Sequence, residues 1–313
     1  MPPASIHAYA ADLTPMKLQF TTLDVFTDRR FTGNPLAVVF DADELDSATM
    51  QTVAREFGHP ETVFVLKPEA AGSTARVRIF TPGVELPFAG HPTVGTALIL
   101  ALNGHGHSST IVLEEKIGIV RCTAAPAGGD RGHARFTLPQ LPKPAGAATS
   151  REAISAAIGL APGDIGFEQL APVRWSAGNV FTFVPVRDLD AIRRCRPVDA
   201  KWDAAFEANG RSNPYVFCAQ TVDAKHSFHA RMFALRLGVT EDPATGSAAA
   251  AFAGLAAQTL PIGDGEHRLV IEQGYEMGRP SLIELQLMIA GGALTSATIG
   301  GHAVVVTEGT IEA

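Results

Sequence analysis

Short alternating segments and two uninterrupted apolar segments dominate the pattern of hydrophobic and polar residues along this chain. Residues 18–26 alternate and are rich in Phe, Thr, Leu and Val, which is typical of a strand. By contrast, residues 93–102 and 244–258 would be apolar on every side of a helix. A helix without a polar face must be buried on all sides. The pattern therefore predicts many strands folded around two buried helices.

The remaining segments predict further strands and two shorter helices. One helix is predicted over residues 47–57, with Ser47 as its N-cap, and another over 151–158. Gly291-Gly292 predicts a two-residue hairpin turn, and Gly300-Gly301 is interpreted as a turn as well. The further predicted strands are 36–40, 62–66, 75–80, 111–114, 118–122, 134–138, 180–184, 215–219, 228–235, 269–272, 282–289, 294–299 and 303–307.

One motif occurs in both halves of the chain, in the form (His or Asp)-Pro-x-x-Gly-(Thr or Ser)-Ala. The first copy begins at His91 and the second at Asp242, and each opens one of the two apolar helices. Each copy also follows an arginine-apolar-phenylalanine strand, which starts at Arg78 or Arg231. The repeat predicts two similar half-molecules, with His91 and Asp242 at corresponding points of a cleft on a pseudo-twofold axis.

These elements predict an α+β fold of two pseudo-symmetric domains, each a curled, mostly antiparallel sheet around a central apolar helix. The Pro-, Gly- and Ala-rich stretch 124–150 is the candidate linker. We expect residues 1–16 to form a disordered leader and 17–125 to form an N-terminal half-domain, which the strand 303–313 joins. The C-terminal half-domain is then 126–302.

Composition narrows the class of protein. The chain has 313 residues and a net charge of −7, which argues against nucleic acid or an anionic membrane as the main partner. No apolar run reaches the roughly 18 residues that a membrane helix needs. Cys122, Cys195 and Cys218 are odd in number and lack CxxC spacing, so we expect reduced, buried thiols in a cytoplasmic protein.

The starts of the two apolar helices are candidate anion sites. The first turn of a helix has free N–H groups at the positive end of its dipole, and Gly95-Thr96 and Gly246-Ser247 fall in the predicted first turns. Converging starts would bind a carboxylate and stabilise an enolate-like charge. The structural alternative is that Asp242 and Thr245 only cap their helix.

Glu61 is a third candidate for acid/base chemistry. It follows Pro60 and directly precedes the apolar strand 62–66. A carboxylate at the entry of such a strand would be partly buried, and burial raises its pKa toward the range useful for a general acid/base. The alternative is a solvated glutamate at the end of a strand.

Five segments together resemble the PhzF-like family of phenazine biosynthesis, which has the diaminopimelate-epimerase fold. They read DVFTDRRFTGNPLAVVF, REFGHPETVFVLKP, RIFTPGVELPFAGHPTVGTA, EDPATGSAAA and QGYEMGRPS. The resemblance implies two similar domains with the site between them. It also implies a set of site residues, with Glu61 as acid/base, His91 and Asp242 as active-site residues, and Gly90, Gly246 and Ser247 holding the substrate's carboxylate.

The resemblance further implies the activity of the family's namesake, which isomerises trans-2,3-dihydro-3-hydroxyanthranilate as a homodimer without a metal or organic cofactor. We therefore expect a biosynthetic isomerase that acts on a small carboxylated substrate and uses no metal or cofactor. Pro60 stands where the family often has a serine-like residue, which puts the substrate's identity in doubt. The alternatives are an epimerase or racemase of the same fold, without the two thiols that such relatives use, and a catalytically silent binding protein.

Overall fold

A computed structural model describes residues 16–104 and 107–313, which form a single twisted sheet of 17 strands with six helices. The strands are β1 Lys17–Val25, β2 Asn34–Val39, β3 Glu61–Leu66, β4 Ala75–Phe80, β5 Glu85–Leu86, β6 Ser109–Glu115, β7 Gly118–Pro126, β8 Arg131–Thr137, β9 Lys143–Pro144, β10 Val173–Ser176, β11 Val180–Pro185, β12 Asn213–Cys218, β13 Phe228–Ala234, β14 Val239–Asp242, β15 Gly265–Gln273, β16 Ser281–Ala290 and β17 Ala293–Glu312. The helices are α1 Ser47–Phe57, α2 Gly90–Asn103, α3 Arg151–Ala157, α4 Leu189–Arg194, α5 Asp199–Phe206 and α6 Gly246–Thr259.

The strand order repeats. From β1 to β8, neighbouring strands pair antiparallel except for two parallel pairs, β2–β3 across α1 and β4–β6 across α2. From β10 to β17 the same sequence of pairings recurs, with β11–β12 parallel across α4 and α5, and β13–β15 parallel across α6. The expected α+β architecture of two pseudo-symmetric halves, each a curled sheet around one helix, is confirmed.

The two apolar helices lie at the centres of the halves. Helix α2 packs against β1, β2 and β6 to β8, and helix α6 packs against β9 to β11, β16 and β17. Ten consecutive residues of α2, from Gly90 to Ile99, are buried, and α6 has buried residues on all its sides. The apolar core around the two helices is continuous from one half to the other. Among the described residues, no helix is long and apolar enough to cross a membrane.

The C-terminal strand connects the second half to the first. Residues 303–312 of β17 pair with β1 of the first half, and the short strand β9 pairs with β10 within the second half. The expected boundary at 125/126 lies at the end of β7, whose hairpin partner β8 packs on α2. Because β8 repeats the topological position of the start of β17, we propose that the first half extends through Thr137.

The expected leader, 1–16, lies outside the described residues apart from Met16. The backbone of Met16 bonds to Ala313 in both directions, so residue 16 continues the pairing of the terminal strands. The expected disorder is therefore wrong for Met16.

Several local predictions need correction. Asp46, not Ser47, caps α1, since its carboxylate accepts a hydrogen bond from the Thr49 N–H. The segments predicted as two strands, 294–299 and 303–307, are one strand that runs through Gly300-Gly301. An added Cβ on Gly301 would lie 2.6 Å from the Phe26 ring, so these glycines make room for packing and form no turn. Gly291-Gly292 does form the predicted turn, with φ of 61° and 73°.

Candidate functional site

The two buried helices meet at their N-termini. A Cβ atom added to Gly90 would lie 2.6 Å from the Gly246 Cα, and one added to Gly246 would lie 2.9 Å from the Gly90 Cα. Only glycine at both positions allows this backbone contact. The free N–H groups and the positive dipole ends of both helices therefore converge on one place, as the repeat predicted.

The register of the repeat differs from the register of the helices. Helix α2 begins one residue before His91, whereas α6 begins four residues after Asp242. Gly90 therefore faces Gly246, and His91 corresponds to Ser247 by its place in the helix. The prediction that His91 and Asp242 occupy corresponding points is wrong. Pro92 fits inside the first turn because its missing N–H has no partner there, which lets α2 begin earlier.

Glu61 is the first residue of β3 and lies beside His91. Its Oε2 is 3.4 Å from the His91 Nε2, and 16% of its side chain is exposed. Neither of these two atoms has a hydrogen-bond partner within the described parts of the chain. Burial, and then the charge of Asp242, raise the pKa of Glu61 well above its usual value. The expectation of a partly buried carboxyl group is confirmed, and the solvated alternative is wrong.

His91 is held as a neutral ring. Its side chain is 3% exposed, and burial lowers its pKa to about 3, although the nearby Pro35 carbonyl acts to raise it. We propose that Nδ1 carries the ring proton, because the Pro35 carbonyl favours a protonated ring nitrogen and Nε2 has no partner among the described residues. In this tautomer the Nε2 carries a lone pair that faces Glu61. His91 is therefore a hydrogen-bond acceptor in the site.

Asp242 ends β14 and is buried beneath the helix starts. Its Oδ1 accepts from the Asn34 Nδ2 at 2.8 Å, and its Oδ2 accepts from the Thr245 hydroxyl at 2.6 Å. Burial raises its pKa to about 6, against the lowering effect of these two bonds. Thr245 directly precedes α6, but its hydroxyl makes no capping bond in the described structure. These two side chains therefore do not act as caps of α6.

A second layer of side chains fixes Thr245 and the adjoining backbone. The Gln273 Nε2 donates to the Asp242 carbonyl and to the Thr245 hydroxyl, at 2.8 and 2.9 Å. The Gln273 Oε1 accepts from the Thr245 N–H and from the Tyr215 hydroxyl. Gln273 is the first residue of the segment QGYEMGRPS, which resembles the family, and no chemistry was predicted for it. Nothing local in the sequence showed that its amide would reach the site.

These residues surround a cavity of about 300 Å³ between the two halves. Glu61, Asp242 and Ser247 line it, while Gly90, His91 and Gly246 lie directly behind its wall. Pro60 lines it too. The other lining residues are Thr81, Leu86, Phe88 and Ala89 from the first half, and Gly178, Asn179, Val180, Phe181, Arg211, Ser212, Asn213, Met232, Ala234, Leu237, Val239 and Thr245 from the second.

Arg211 contributes a positive charge to the lining of the cavity. Among the described residues that line it, Arg211 is the one cationic side chain, and Glu61 and Asp242 are the carboxyl groups. Its Nε donates to Glu207 at 3.2 Å, and 59% of its side chain is exposed. An exposed guanidinium at the rim favours the approach of an anionic ligand. The sequence offered no signal for it, since Arg211 lies in a loop outside every motif.

Other depressions lack this convergence of groups. Three of them are larger than the site cavity. Two have about 450 Å³, one over β8 and β15 to β17 and one beside Phe26 and Tyr275. The third has about 500 Å³, lies beside His59 and Gly83, and shares Pro60, Leu237 and Val239 with the site cavity. None of the three is lined by any of the predicted site residues. The smaller cavity joins both helix starts with perturbed carboxyl groups, which is typical of an active site.

The described residues at this cavity form neither a metal-binding cluster nor a reactive thiol site. Within residues 16–104 and 107–313, no group of three His, Cys, Asp or Glu side chains is arranged to hold a metal ion. Cys122, Cys195 and Cys218 are free and buried, burial raises the pKa of each thiol, and none lines the cavity. A racemase that uses a pair of thiols does not fit this site.

Comparison with known proteins gives the family. The model of the family described as phenazine biosynthesis-like protein, PhzC-PhzF, matches residues 23–309. The chain is 49% identical to an uncharacterized isomerase of Mesorhizobium japonicum, covering 91% of this chain and 96% of that protein. It is 34% identical to the trans-2,3-dihydro-3-hydroxyanthranilate isomerase of Pseudomonas fluorescens, covering 93% of this chain and 98% of that one.

A solved structure agrees with the sequence relatives. The crystal structure of the Bacillus anthracis phenazine biosynthesis protein of the PhzF family matches with a TM-score of 0.85 and 29% sequence identity. The match covers 95% of this chain and 99% of that protein. The chain therefore belongs to the PhzF-like family of phenazine biosynthesis-like proteins, has the diaminopimelate-epimerase-like fold, and is an isomerase.

Proposed function

We propose that the protein isomerises a small unsaturated carboxylate by moving a proton between two carbon atoms, with Glu61 as the general acid/base. The observation that carries this proposal is the Glu61 carboxyl group, buried at the cavity with its Oε2 unpartnered among the described residues. A carboxyl group with a raised pKa can take a proton from carbon and give it back near neutral pH.

The helix starts bind the substrate's carboxylate in this proposal. Among the described residues, the N–H groups of Gly90, Gly246 and Ser247 have no backbone acceptor. They lie at two helix N-termini that touch each other, and the dipoles of both helices favour negative charge there. The same groups stabilise the charge that builds up on the substrate when a proton leaves carbon. Arg211 at the rim attracts the anion before it binds.

The reaction is then two proton transfers on one carboxyl group. The Glu61 carboxylate takes a proton from a carbon next to the unsaturated system, so a C–H bond breaks, an O–H bond forms, and the electron pair enters the conjugated system. Glu61 returns the proton to another carbon and is regenerated as the carboxylate. The atoms and electrons balance without an oxidant or reductant.

His91 and Asp242 orient the substrate. The Nε2 of neutral His91 accepts a hydrogen bond from a substrate N–H or O–H group, or from protonated Glu61. His91 does not act as a general acid, because its pKa of about 3 keeps the ring neutral at physiological pH. The Asp242 carboxylate accepts from a substrate amino or hydroxyl group, and its pKa of about 6 also lets it relay a proton.

The first substrate to test is trans-2,3-dihydro-3-hydroxyanthranilate, on which the Pseudomonas fluorescens relative acts by its name. Wild-type enzyme in D₂O should convert it and place deuterium at carbon in the product. Glu61→Gln should bind the substrate but lose at least about 10³-fold in exchange rate, because the proton carrier is gone. Glu56→Gln, an exposed change on α1, serves as the matched control.

The outcomes separate the alternatives. Exchange by Glu61→Gln at the wild-type rate would refute the role of Glu61. Exchange with inversion at one carbon and no shift of a double bond would show an epimerase. Binding without exchange by the wild type would show a silent binding protein for this ligand.

We also propose that the protein acts as a cytoplasmic homodimer. The free, buried state of Cys122, Cys195 and Cys218 supports a reducing compartment. The family resemblance supports the dimer. A mass near twice 32.9 kDa in light scattering would bear out the dimer, and a monomeric mass at working concentration would reject it.

A further inference from the structure

Asn34 connects the two halves of the molecule at the site. It is the first residue of β2 in the first half, is fully buried, and reaches Asp242 in β14 of the second half. Its Nδ2 donates to the Asp242 Oδ1 and to the Ala244 carbonyl, each at 2.8 Å. Both protons of the side-chain amide are therefore used to hold the segment that leads into α6.

The next two residues of β2 reach the other two proposed functional side chains. The backbone carbonyl of Pro35 lies close enough to the His91 ring to raise its pKa. Leu36 is the register partner of Glu61 in the parallel β2–β3 ladder. Residues 34, 35 and 36 are thus neighbours of Asp242, His91 and Glu61, respectively.

The chemistry of Asn34 suits this role better than a purely structural one. Its Oδ1 is buried without a hydrogen-bond partner among the described residues, which costs stability. An aspartate of the same shape would place a second carboxylate against Asp242, and an alanine would leave one Asp242 oxygen without its donor. Folding alone does not require an amide with an orphaned oxygen, whereas positioning of Asp242 does.

We propose that Asn34 is a positioning residue, whose side-chain amide fixes the Asp242 carboxylate so that the strand segment 34–36 sets the mutual geometry of Asp242, His91 and Glu61. The inference rests on the proposed function for its effect on turnover. Its structural part, the hold on Asp242, stands apart from the identity of the substrate.

The test measures the titration of the Asp242 carboxyl group itself. ¹³C NMR of carboxyl-labelled aspartate, assigned with Asp242→Asn, gives the Asp242 titration in the wild type and in Asn34→Ala. Loss of the donor should raise the midpoint by about one pH unit, because the bond to Asn34 stabilises the ionised form. The ionisable groups that also act on Asp242, which are Glu61, Glu241 and Tyr215, are the same in both proteins, as is the hydrogen bond from Thr245.

Two further variants keep the test decisive. Asn34→Asp has the wild-type shape and replaces Asn34→Ala if that variant does not fold. Two adjoining carboxyl groups then share a proton, so the apparent midpoint of Asp242 should rise by more than one pH unit. Asn209→Asp, an exposed change that lies outside the cavity, should leave the Asp242 titration unchanged. An unshifted Asp242 midpoint in a folded Asn34 variant would overturn the proposal.

Turnover separates this inference from the proposed function. With a substrate that the wild type exchanges, Asn34→Ala should lower kcat about 10- to 100-fold with KM within about threefold. The same change in an Asp242→Asn background should have little further effect if Asn34 acts through Asp242. An equal loss in both backgrounds would refute the positioning role. Failure of the wild type to turn over any candidate would count against the proposed function and leave the NMR result intact.

Discussion

Gly90 and Gly246 touch backbone to backbone, since a Cβ atom on either residue would lie under 3 Å from the other residue's Cα. This contact places two helix N-termini at one cavity, although the two glycines are 156 positions apart in the chain. Real Cβ atoms do not come this close to a backbone atom, so a side chain at either position must move one of the helices.

Gly246→Ala should therefore destabilise the protein by about 2–3 kcal/mol, since backbone cannot move aside as a flexible side chain can. The separated helix starts should also bind the substrate's carboxylate more weakly. Urea unfolding and KM measure the two effects. Gly163→Ala is the control, because an added Cβ there meets nothing within 4 Å. Equal stability of Gly246→Ala and wild type would contradict the observed contact.

Asp242 should destabilise the folded protein at neutral pH. Its pKa is raised by burial from 3.8 to about 6, so between these values the folded chain binds more protons than the unfolded chain. Stability therefore falls as the pH rises through this window and stays lower above it. The shift of about two units corresponds to about 3 kcal/mol.

Asp242→Asn should accordingly be more stable than wild type at pH 7.5, by up to about 3 kcal/mol, and should lose this advantage near pH 4. The amide can still accept from Asn34 and donate to the Thr245 hydroxyl, so the packing is kept. Urea unfolding at the two pH values measures the difference. A variant that is less stable at pH 7.5 would show that the ionised carboxylate does not carry this cost.

The His91 ring should remain neutral across the working pH range. With a pKa of about 3, its signals in ¹⁵N–¹H NMR should not titrate between pH 5 and 9, and Nδ1 should carry the proton. His91→Gln assigns the signals, and the exposed His302 provides an exposed imidazole for reference in the same spectrum. A His91 midpoint near 6.5, or a proton on Nε2, would remove the acceptor role proposed for this residue.

The sequence predicted well those elements that a local pattern of hydrophobic and polar residues encodes. Alternation located most strands to within a few residues, and the two apolar segments identified the buried helices α2 and α6. The short elements β5, β9, β10, β14, α4 and α5 were missed, because they have too few residues to show a period. The break predicted at Gly300-Gly301 failed because these glycines serve the packing of Phe26 within a continuous strand.

The candidate site was only partly predictable. Glu61, His91 and Asp242 stood out because each lies at the end of an element and within a specific motif. The roles of Gln273 and Arg211 depend on loops and strands that meet only in the folded chain. The role of Asn34 was not predicted, because its partner Asp242 is distant in the sequence.

The sequence by itself determined that two helices must be buried and that ionisable side chains stand near their starts, since burial follows from the absence of any polar face. The tertiary structure decided which groups meet. The bond from Asn34 to Asp242 spans 208 residues, and the contact of Gly90 with Gly246 replaces the register that the repeat indicated. Such contacts arise from the packing of two complete halves against each other, and that packing is encoded in many distant residues at once rather than in any local period.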